Sequence, residues 1–291
     1  MAGARNSVSL FSEAPQSRGF TLIELLTVIG TISILAVLSV GAVQKSINSA
    51  NKVREINAAR QLVLALHSSA QDNDGVYLPG MDYRAGTSSF PVYKPDGGIV
   101  SGHAAQRYPF RLGPYLGDQF DGTIFVNRNK AEIVKKYGNS GTMYDYTVST
   151  YPALGMNAYC VGGIMRSDGT YRNAGDCISR SANSKGSIVA FASGGSGTGS
   201  SRMSGFSYVS PPTLDNDSPI CQKWDDDAAW TKQKDPMRFG WVDFRYEGKA
   251  VCGFLDGSVK MCSVKELKDM RLWTPGALEA NDPNYAIPSD P

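Results

Sequence analysis

Few residues in this chain have the type and spacing that enzymatic chemistry needs. The 291 residues include two histidines, His67 and His103, and histidine is the usual general base near neutral pH. Neither a Gly-x-Ser-x-Gly nor a His-Glu-x-x-His motif occurs in the sequence. His67 is expected to be a half-exposed packing residue, and His103 lies in a glycine-containing loop. The sequence therefore predicts no enzyme.

Two acidic runs offer oxygen ligands of the kind that calcium prefers. They contain Asp215 and Asp217 in the first run and Asp225 and Asp226 in the second. Neither run has the ligand spacing of an EF-hand loop, and a solvated acidic loop is the other interpretation. We expect no cofactor by default, with calcium at these aspartates as the alternative.

Composition narrows the class of protein. The formal net charge is +2, from 29 basic and 27 acidic residues, and this balance gives no basic surface for nucleic acid. The 31 glycines and 15 prolines are typical of a loop-rich domain that contains β-strands.

An apolar run near the start of the chain predicts a membrane anchor. Residues 20–43 contain one ionisable side chain, Glu24. A helix of this length reaches ~36 Å, slightly more than the ~30 Å hydrocarbon core of a bilayer. The polar residues 1–19 have no apolar region of their own, so they do not form an ordinary secretory signal peptide.

Glu24 is the residue that a simple anchor does not explain. An acid at the centre of a membrane costs on the order of 2.5 to 3.5 kcal/mol and usually marks a partner. In one interpretation Glu24 is shallow enough to reach the lipid headgroups. In the other it forms an ion pair with a positive charge of another molecule.

The residues around Glu24 resemble the prepilin peptidase recognition sequence of type IV pilins and type II secretion pseudopilins. They read Arg-Gly-Phe-Thr-Leu-Ile-Glu over residues 18–24. The resemblance implies cleavage after Gly19, N-methylation of Phe20, and assembly through Thr21 and Glu24, whose carboxylate pairs with the new amine of an adjacent subunit. It also implies calcium binding in major pseudopilins. The implied partners are this chain itself, other pilin-like subunits, prepilin peptidase and an inner-membrane assembly platform.

The helix is expected to continue beyond the membrane. An apolar stripe follows a helical period, whereas Lys52, Arg54 and Glu55 lie off it. The stripe consists of Ile56, Ala59, Val63, Leu66 and Ala70. Residues 72–75, Asp-Asn-Asp-Gly, favour a helix end. We therefore predict one helix of about fifty residues whose second half packs on a sheet.

The remaining residues predict an α+β fold of the pilin type, with the long helix packed on an antiparallel β-sheet. The predicted divisions are a leader (1–19), a membrane and polymerisation helix (20–43), an amphipathic continuation (44–75), a β-rich periplasmic domain (76–278) and a frayed tail (279–291). Strands are predicted at 122–126, 146–150, 186–192, 206–210, 238–246, 249–255 and 258–263. Helices are predicted at 129–137 and 265–272, and a flexible loop at 193–205.

A second resemblance lies near the C-terminus. Residues 245–260 are similar to the signature of a bacterial pseudopilin group in which a histidine is followed nine residues later by Asp-Gly. Asp256 and Gly257 match this signature, but Tyr246 stands at the histidine position. This departure puts any role of the histidine in doubt. Asp256-Gly257 predicts a two-residue hairpin turn.

Five cysteines lie on the exported side of the predicted anchor, where disulfides are stable. They are Cys160, Cys177, Cys221, Cys252 and Cys262. A disulfide between Cys160 and Cys177, around a glycine-rich loop, is the favoured pairing. A two-residue turn places Cys252 opposite Met261, so that Cys252 and Cys262 point to opposite faces and do not pair.

Two functions of different classes remain. In the first, the chain is a structural subunit of a type II secretion pseudopilus or a type IV pilus-like filament, anchored once in the bacterial inner membrane with its C-terminal domain in the periplasm. In the second, it is a membrane-anchored monomer whose ectodomain binds or processes an extracytoplasmic substrate.

Overall fold

The structure is a computed structural model that describes residues 19–172, 176–184, 186–213, 223–225 and 229–288. Most of the predicted leader, including Arg18, lies outside these residues, as does Cys221. The chain divides into two compact units, Met1–Ile47 and Asn48–Pro291. It is an α+β protein with a long N-terminal helix and antiparallel sheets, as the sequence predicts.

The long helix, α1, is Leu22–Gln71 and has 50 residues. It ends where the Asp-Asn-Asp-Gly run begins, because Gly75 donates from its backbone nitrogen to the carbonyl of Ala70, at 2.7 Å. Its apolar part is long enough to cross a membrane. The prediction of one helix of about fifty residues is therefore confirmed.

Short elements make up the rest of the chain. The other helices are α2 (Gly102–Gln106), α3 (Tyr108–Leu112), α4 (Asn129–Tyr137), α5 (Thr142–Thr150), α6 (Val264–Leu267) and α7 (Pro275–Ala280). The strands are β1 (Met81–Asp82), β2 (Val92–Tyr93), β3 (Ile99–Val100), β4 (Leu154–Met156), β5 (Ile164–Met165), β6 (Tyr171–Arg172), β7 (Val189–Ser193), β8 (Lys249–Phe254) and β9 (Val259–Ser263). Single 3-10 turns lie at Gly113–Leu116, Ser181–Asn183, Gly199–Ser201, Pro236–Phe239 and Met270–Leu272.

The main sheet has four antiparallel strands in the order β4-β7-β8-β9. Strand β8 is buried on both faces, because Val251 and Leu255 belong to the core that includes α1, whereas Ala250, Cys252 and Phe254 belong to the core on the other side. Side chains alternate between the two faces of a strand, so one strand contributes residues to the cores on both sides of the sheet. Two small sheets, β1-β5-β6 and β2-β3, complete the fold, and the β1–β5 pair is parallel.

The second half of α1 lies against this sheet, as predicted. Its buried apolar residues are Ala58, Ala59, Leu62, Val63, Ala65, Leu66 and Ala70. A Cβ added to Gly253 of β8 would lie 3.0 Å from Val63 Cγ2 and 3.3 Å from the Ala59 carbonyl oxygen. The helix therefore approaches the strand so closely that a side chain at this position would force neighbouring atoms to shift.

Several predicted strands are absent from the described structure or adopt another form. Residues 146–150 form the second half of α5 rather than a strand, because packing of buried Val148 overrides their β-branched composition. Residues 122–126 form turns, and 238–246 begin in the Pro236–Phe239 3-10 turn. Residues 206–210 make only an isolated bridge, from Tyr208 to Met156. Predicted strands at 186–192, 249–255 and 258–263 correspond to β7, β8 and β9.

Two segments predicted to be flexible or frayed are held by specific contacts. The 193–205 loop is held by a bridge from Ser196 to Met203, and Met203 is buried. Residues 279–288 are not a frayed tail, because Thr213 Oγ1 donates to the Tyr285 carbonyl at 2.6 Å and Ile287 is buried. Residues 289–291 lie outside the described residues.

The β8–β9 turn is one residue longer than predicted. Phe254 donates from its backbone nitrogen to the carbonyl of Ser258, at 2.9 Å, which leaves three residues in the loop. Cys252 consequently pairs with Lys260, not with Met261. A shift of one residue moves a side chain to the other face, so Cys252 and Cys262 lie on the same face, contrary to the prediction.

Candidate functional site

At the start of α1, the Glu24 carboxylate has hydrogen-bond partners within its own chain. Glu24 Oε2 accepts hydrogen bonds from the backbone nitrogen of Thr21 and from Thr21 Oγ1, each at 2.8 Å. In return, the Glu24 backbone nitrogen donates to Thr21 Oγ1 at 3.3 Å. This reciprocal pair is a capping box, which satisfies free amide groups at a helix start. The sequence signal is Thr-x-x-Glu, and sequence reasoning overlooked it.

Phe20 and Gly19 lie directly before this cap. The Phe20 side chain is 84% exposed, and the large apolar residues of α1 from Leu22 to Val43 are exposed as well. Monomeric soluble proteins rarely expose a continuous apolar surface of this extent. This segment, in which cleavage and assembly are predicted, is long and apolar enough to cross a membrane.

A second site joins α1 to the sheet through Glu55. Glu55 is fully buried, although the sequence placed it off the apolar stripe. Tyr246 donates from its hydroxyl to Glu55 Oε2 at 2.6 Å, and Ser193 Oγ donates to Glu55 Oε1. Ser193 Oγ also accepts from the Val251 backbone nitrogen, at 2.9 Å. Glu55 thus links the helix to the end of β7 and to β8.

A buried cation balances this carboxylate. Arg245 Nη1 lies 3.8 Å from Glu55 Oε2, and Arg245 Nε lies 3.5 Å from Asp243 Oδ2. Asp243 in turn pairs with Arg202, whose Nη2 lies 2.8 Å from Asp243 Oδ1. Burial alone would lower the pKa of Arg245, but the carboxylates of Glu55 and Asp243 outweigh burial and raise it. Arg245 therefore stays charged inside the domain.

Tyr246, which stands where the resembled signature has a histidine, contributes a neutral donor to the Glu55 site. Burial and the adjacent Glu55 carboxylate raise the pKa of Tyr246 well above its usual value. The hydroxyl therefore remains protonated and can donate to Glu55. Asn127 Nδ2 donates both to the Tyr246 hydroxyl, at 3.2 Å, and to the Asn51 carbonyl, at 3.1 Å. Tyr246 thus has a structural role in this chain, because it attaches helix α1 to the globular domain.

Sequence reasoning missed Glu55 because it classified residues by polarity alone. Glu55 lies four residues before Ala59 and seven before Leu62, so its position falls on the buried side of the helix. A carboxylate that lies at the same helical spacing as the buried apolar residues indicates a buried donor or cation that pairs with it. Arg245 and Tyr246 supply that partner.

The predicted calcium ligands do not come together among the described residues. Asp225 forms an ion pair with Arg238, and Asp215, Asp217 and Asp226 lie outside the described residues. Within the part of the chain that the structure describes, no three His, Cys, Asp or Glu side chains are grouped to hold a metal ion. Calcium binding therefore stays a prediction.

His67 is a packing residue, as expected. Its Nε2 lies 2.8 Å from the Leu255 carbonyl and its Nδ1 lies 3.3 Å from the Tyr77 hydroxyl. His103 is exposed, and its Nδ1 lies 2.9 Å from Gln106 Oε1. The two histidines therefore contact different residues.

The four cysteines that the structure describes are buried. Cys177 is a thiol in the structure, and burial raises its pKa to about 12. The structure therefore does not contain the Cys160–Cys177 disulfide, whose formation stays a prediction. Cys252 and Cys262 share a face of the hairpin and belong to the same core. They are diagonal neighbours, a wider separation than that of directly opposed residues.

Comparison with known proteins gives no relative. No protein-family model matches the chain, and neither the characterised proteins nor the solved structures include a significant match.

Proposed function

We propose that this chain is a pilin-like structural subunit. In this proposal prepilin peptidase cleaves after Gly19, Phe20 is N-methylated, and the mature subunit assembles through α1 into a type II secretion pseudopilus or a type IV pilus-like filament. The subunit is anchored once in the bacterial inner membrane and carries its globular domain in the periplasm. Its partners are other copies of itself, other pilin-like subunits, the peptidase and an inner-membrane assembly platform.

The observation that carries the proposal is the sequence of residues 18–24, followed directly by a helix with an exposed apolar surface. Cleavage after Gly19 would create a free amine on Phe20, four residues before Glu24, whose backbone nitrogen donates to Thr21 Oγ1. An amine that enters a packed filament needs a negative partner, since an unpaired buried charge costs several kcal/mol. Glu24 would supply that partner by exchanging the cap of its own chain for the amine of a neighbour.

The capping box also favours a second candidate function. Because Thr21 already satisfies the Glu24 carboxylate, a monomer needs no neighbour to explain this acid. In this alternative, α1 is a tether, and the ectodomain binds or processes an extracytoplasmic substrate.

Mass spectrometry of the membrane-bound protein tests the two proposals. The subunit proposal expects an N-terminal peptide that starts at Phe20 and carries one added methyl group. A Gly19→Trp variant, in which a large side chain replaces the residue before the cleaved bond, should keep its leader. A wild-type protein that retains Met1 in a strain with active prepilin peptidase would contradict the subunit proposal and support the tether.

A further inference from the structure

A cavity in the globular domain lies apart from the residues discussed so far. Its volume is about 280 Å³, and it lies between the β2–β3 turn, the loop that joins α4 to α5, and the start of α5. Ligand pockets in proteins usually begin at roughly 300 Å³. The size therefore suits a ligand with one ring and excludes large molecules.

Aromatic and aliphatic side chains form most of its wall. The Phe110 and Phe120 ring centroids are 5.4 Å apart, and those of Phe120 and Phe125 are 6.2 Å apart. Tyr144 and Val148 of α5 continue this surface. Tilted and edge-on rings at these distances are the arrangement in which aromatic groups attract each other. A ligand ring would add one more member to the cluster.

The polar side of the wall contains an ion pair. Lys94 Nζ lies 3.3 Å from Asp145 Oδ2, and both side chains are largely buried, at 25% and 13% exposure. A ligand with a single charge would compete for one partner and leave the other uncompensated. A ligand with both an ammonium and a carboxylate group can pair with Asp145 and Lys94 at once and leaves the net charge unchanged.

The loop beside the cavity has an unusual backbone. Gly138 and Gly141 have φ/ψ angles of 82°/−173° and 86°/174°, a region that is essentially restricted to glycine. They flank Asn139 and Ser140, which line the cavity together with Gly141. The chain thus uses two glycine-only conformations to place this loop at the cavity, and such conformations cluster at ligand-binding segments.

We propose that this cavity binds a small aromatic compound that carries both an ammonium and a carboxylate group, of the class of the free aromatic amino acids. The ring lies among Phe110, Phe120, Phe125 and Tyr144. The ammonium group binds Asp145 and the carboxylate binds Lys94. This site does not depend on polymerisation and is compatible with either function proposed above.

The test compares three probes that share one ring, using the full chain in detergent micelles and saturation-transfer NMR at millimolar ligand. The probes are L-tyrosine, tyramine, which lacks the carboxylate, and 3-(4-hydroxyphenyl)propionate, which lacks the amine. Tyrosine is expected to bind at least about tenfold more tightly than either analogue, a difference of about 1.4 kcal/mol. No transfer from tyrosine, or equal affinities for the three probes, would overturn the proposal.

Variants of the ion pair assign the two charges separately. Lys94→Met should remove the preference for tyrosine over tyramine, and Asp145→Asn should remove the preference for tyrosine over the propionate. Asp269→Asn is the matched control, because it breaks the Arg271–Asp269 ion pair, and neither residue lines the cavity. If Lys94→Met retains its fold by circular dichroism and its full preference for tyrosine, the proposal is wrong.

Discussion

Two glutamates of the same helix show how context decides the role of a carboxylate. Glu24 is exposed and caps the first turn through Thr21, whereas Glu55 is buried and attaches the helix to the domain through Tyr246 and Arg245. A cap is worth about 1 kcal/mol, but a buried charge that loses its partner costs about 3 to 5 kcal/mol. The two residues should therefore respond differently to the same substitution.

Replacing Glu24 distinguishes its capping role from an ion pair between subunits. Glutamine can accept the Thr21 hydrogen bonds of a capping box, but it carries no charge, and leucine does neither. If the filament needs the ion pair, Glu24→Gln and Glu24→Leu should both abolish assembly, while both proteins still insert into the membrane. Filaments can be counted by electron microscopy of sheared cell fractions. Normal filaments in Glu24→Gln together with none in Glu24→Leu would show that the cap is the role that matters.

Removing the Tyr246 hydroxyl should weaken the attachment of α1. Tyr246→Phe keeps the ring but deletes the donor to the buried Glu55 carboxylate, and hydrogen bonds to charged groups contribute about 1.5 to 3 kcal/mol. The free energy of unfolding, measured in urea, should fall by about this amount. Tyr93→Phe is the control because the Tyr93 side chain is exposed. A change in Tyr246→Phe as small as in the control would refute the role given to this hydroxyl.

At the scale of secondary-structure elements, the repeat of apolar residues along a long segment predicted the structure better than the composition of short segments. The period of the apolar residues predicted α1 and its packing on a sheet, because 50 residues give many repeats of one signal. Residues 146–150 are rich in β-branched and aromatic types, yet they form helix α5, because short segments follow the packing around them. Asp256-Gly257 predicted a hairpin correctly, but these two residues did not predict a loop of three, which moved Cys252 to the other face.

The packing of α1 on β8 should tolerate no side chain at Gly253. The Cβ of a valine there would lie 3.0 Å from Val63 Cγ2 and 3.3 Å from the Ala59 carbonyl oxygen, and its two methyl groups would need further space. Overpacking of this kind costs about 1 to 3 kcal/mol, and Gly253→Val should lower the free energy of unfolding accordingly. Lys249→Val, at the exposed start of the same strand, should change it by less than about 0.5 kcal/mol. If chemical denaturation gave equal changes in the free energy of unfolding for the two variants, α1 would not be closely packed against β8 at Gly253.

The β8–β9 turn should contribute stability that depends on pH. Burial would raise the pKa of Asp256, but hydrogen bonds from Ser187 and Ser258 outweigh this effect and lower it. A carboxyl whose pKa is lowered by folding stabilises the protein above its unfolded pKa of about 3.9, and this contribution is lost as the pH falls through the lower, folded value. Asp256→Asn should therefore destabilise the protein at pH 7 by less than about 1 kcal/mol, since the group is largely exposed. Below pH 4 the difference from wild type should shrink, and a constant difference from pH 7 to pH 3 would contradict this linkage.

For the molecule as a whole, the two compact units differ in what covers their apolar residues. Within Asn48–Pro291 the second half of α1 buries its stripe against the sheet, and two cores lie on the two faces of β8. The described residues of Met1–Ile47 bury no large apolar side chain. The first unit therefore contains an exposed apolar helix long enough to cross a membrane, whereas the second contains its own core.

A fragment of residues 48–291 should consequently fold without a membrane. We expect it to be soluble and monomeric, because α1 exposes only two large apolar residues after Asn48, Val53 and Leu64. It should unfold cooperatively because its core is intact. The full-length chain should instead remain in the membrane fraction until detergent is added. Light scattering and thermal denaturation measure both properties of the fragment. Cleavage between residues 47 and 48 leaves Glu55 and its partners in place, so a fragment that aggregates or melts without cooperativity would show that the first unit contributes to the core.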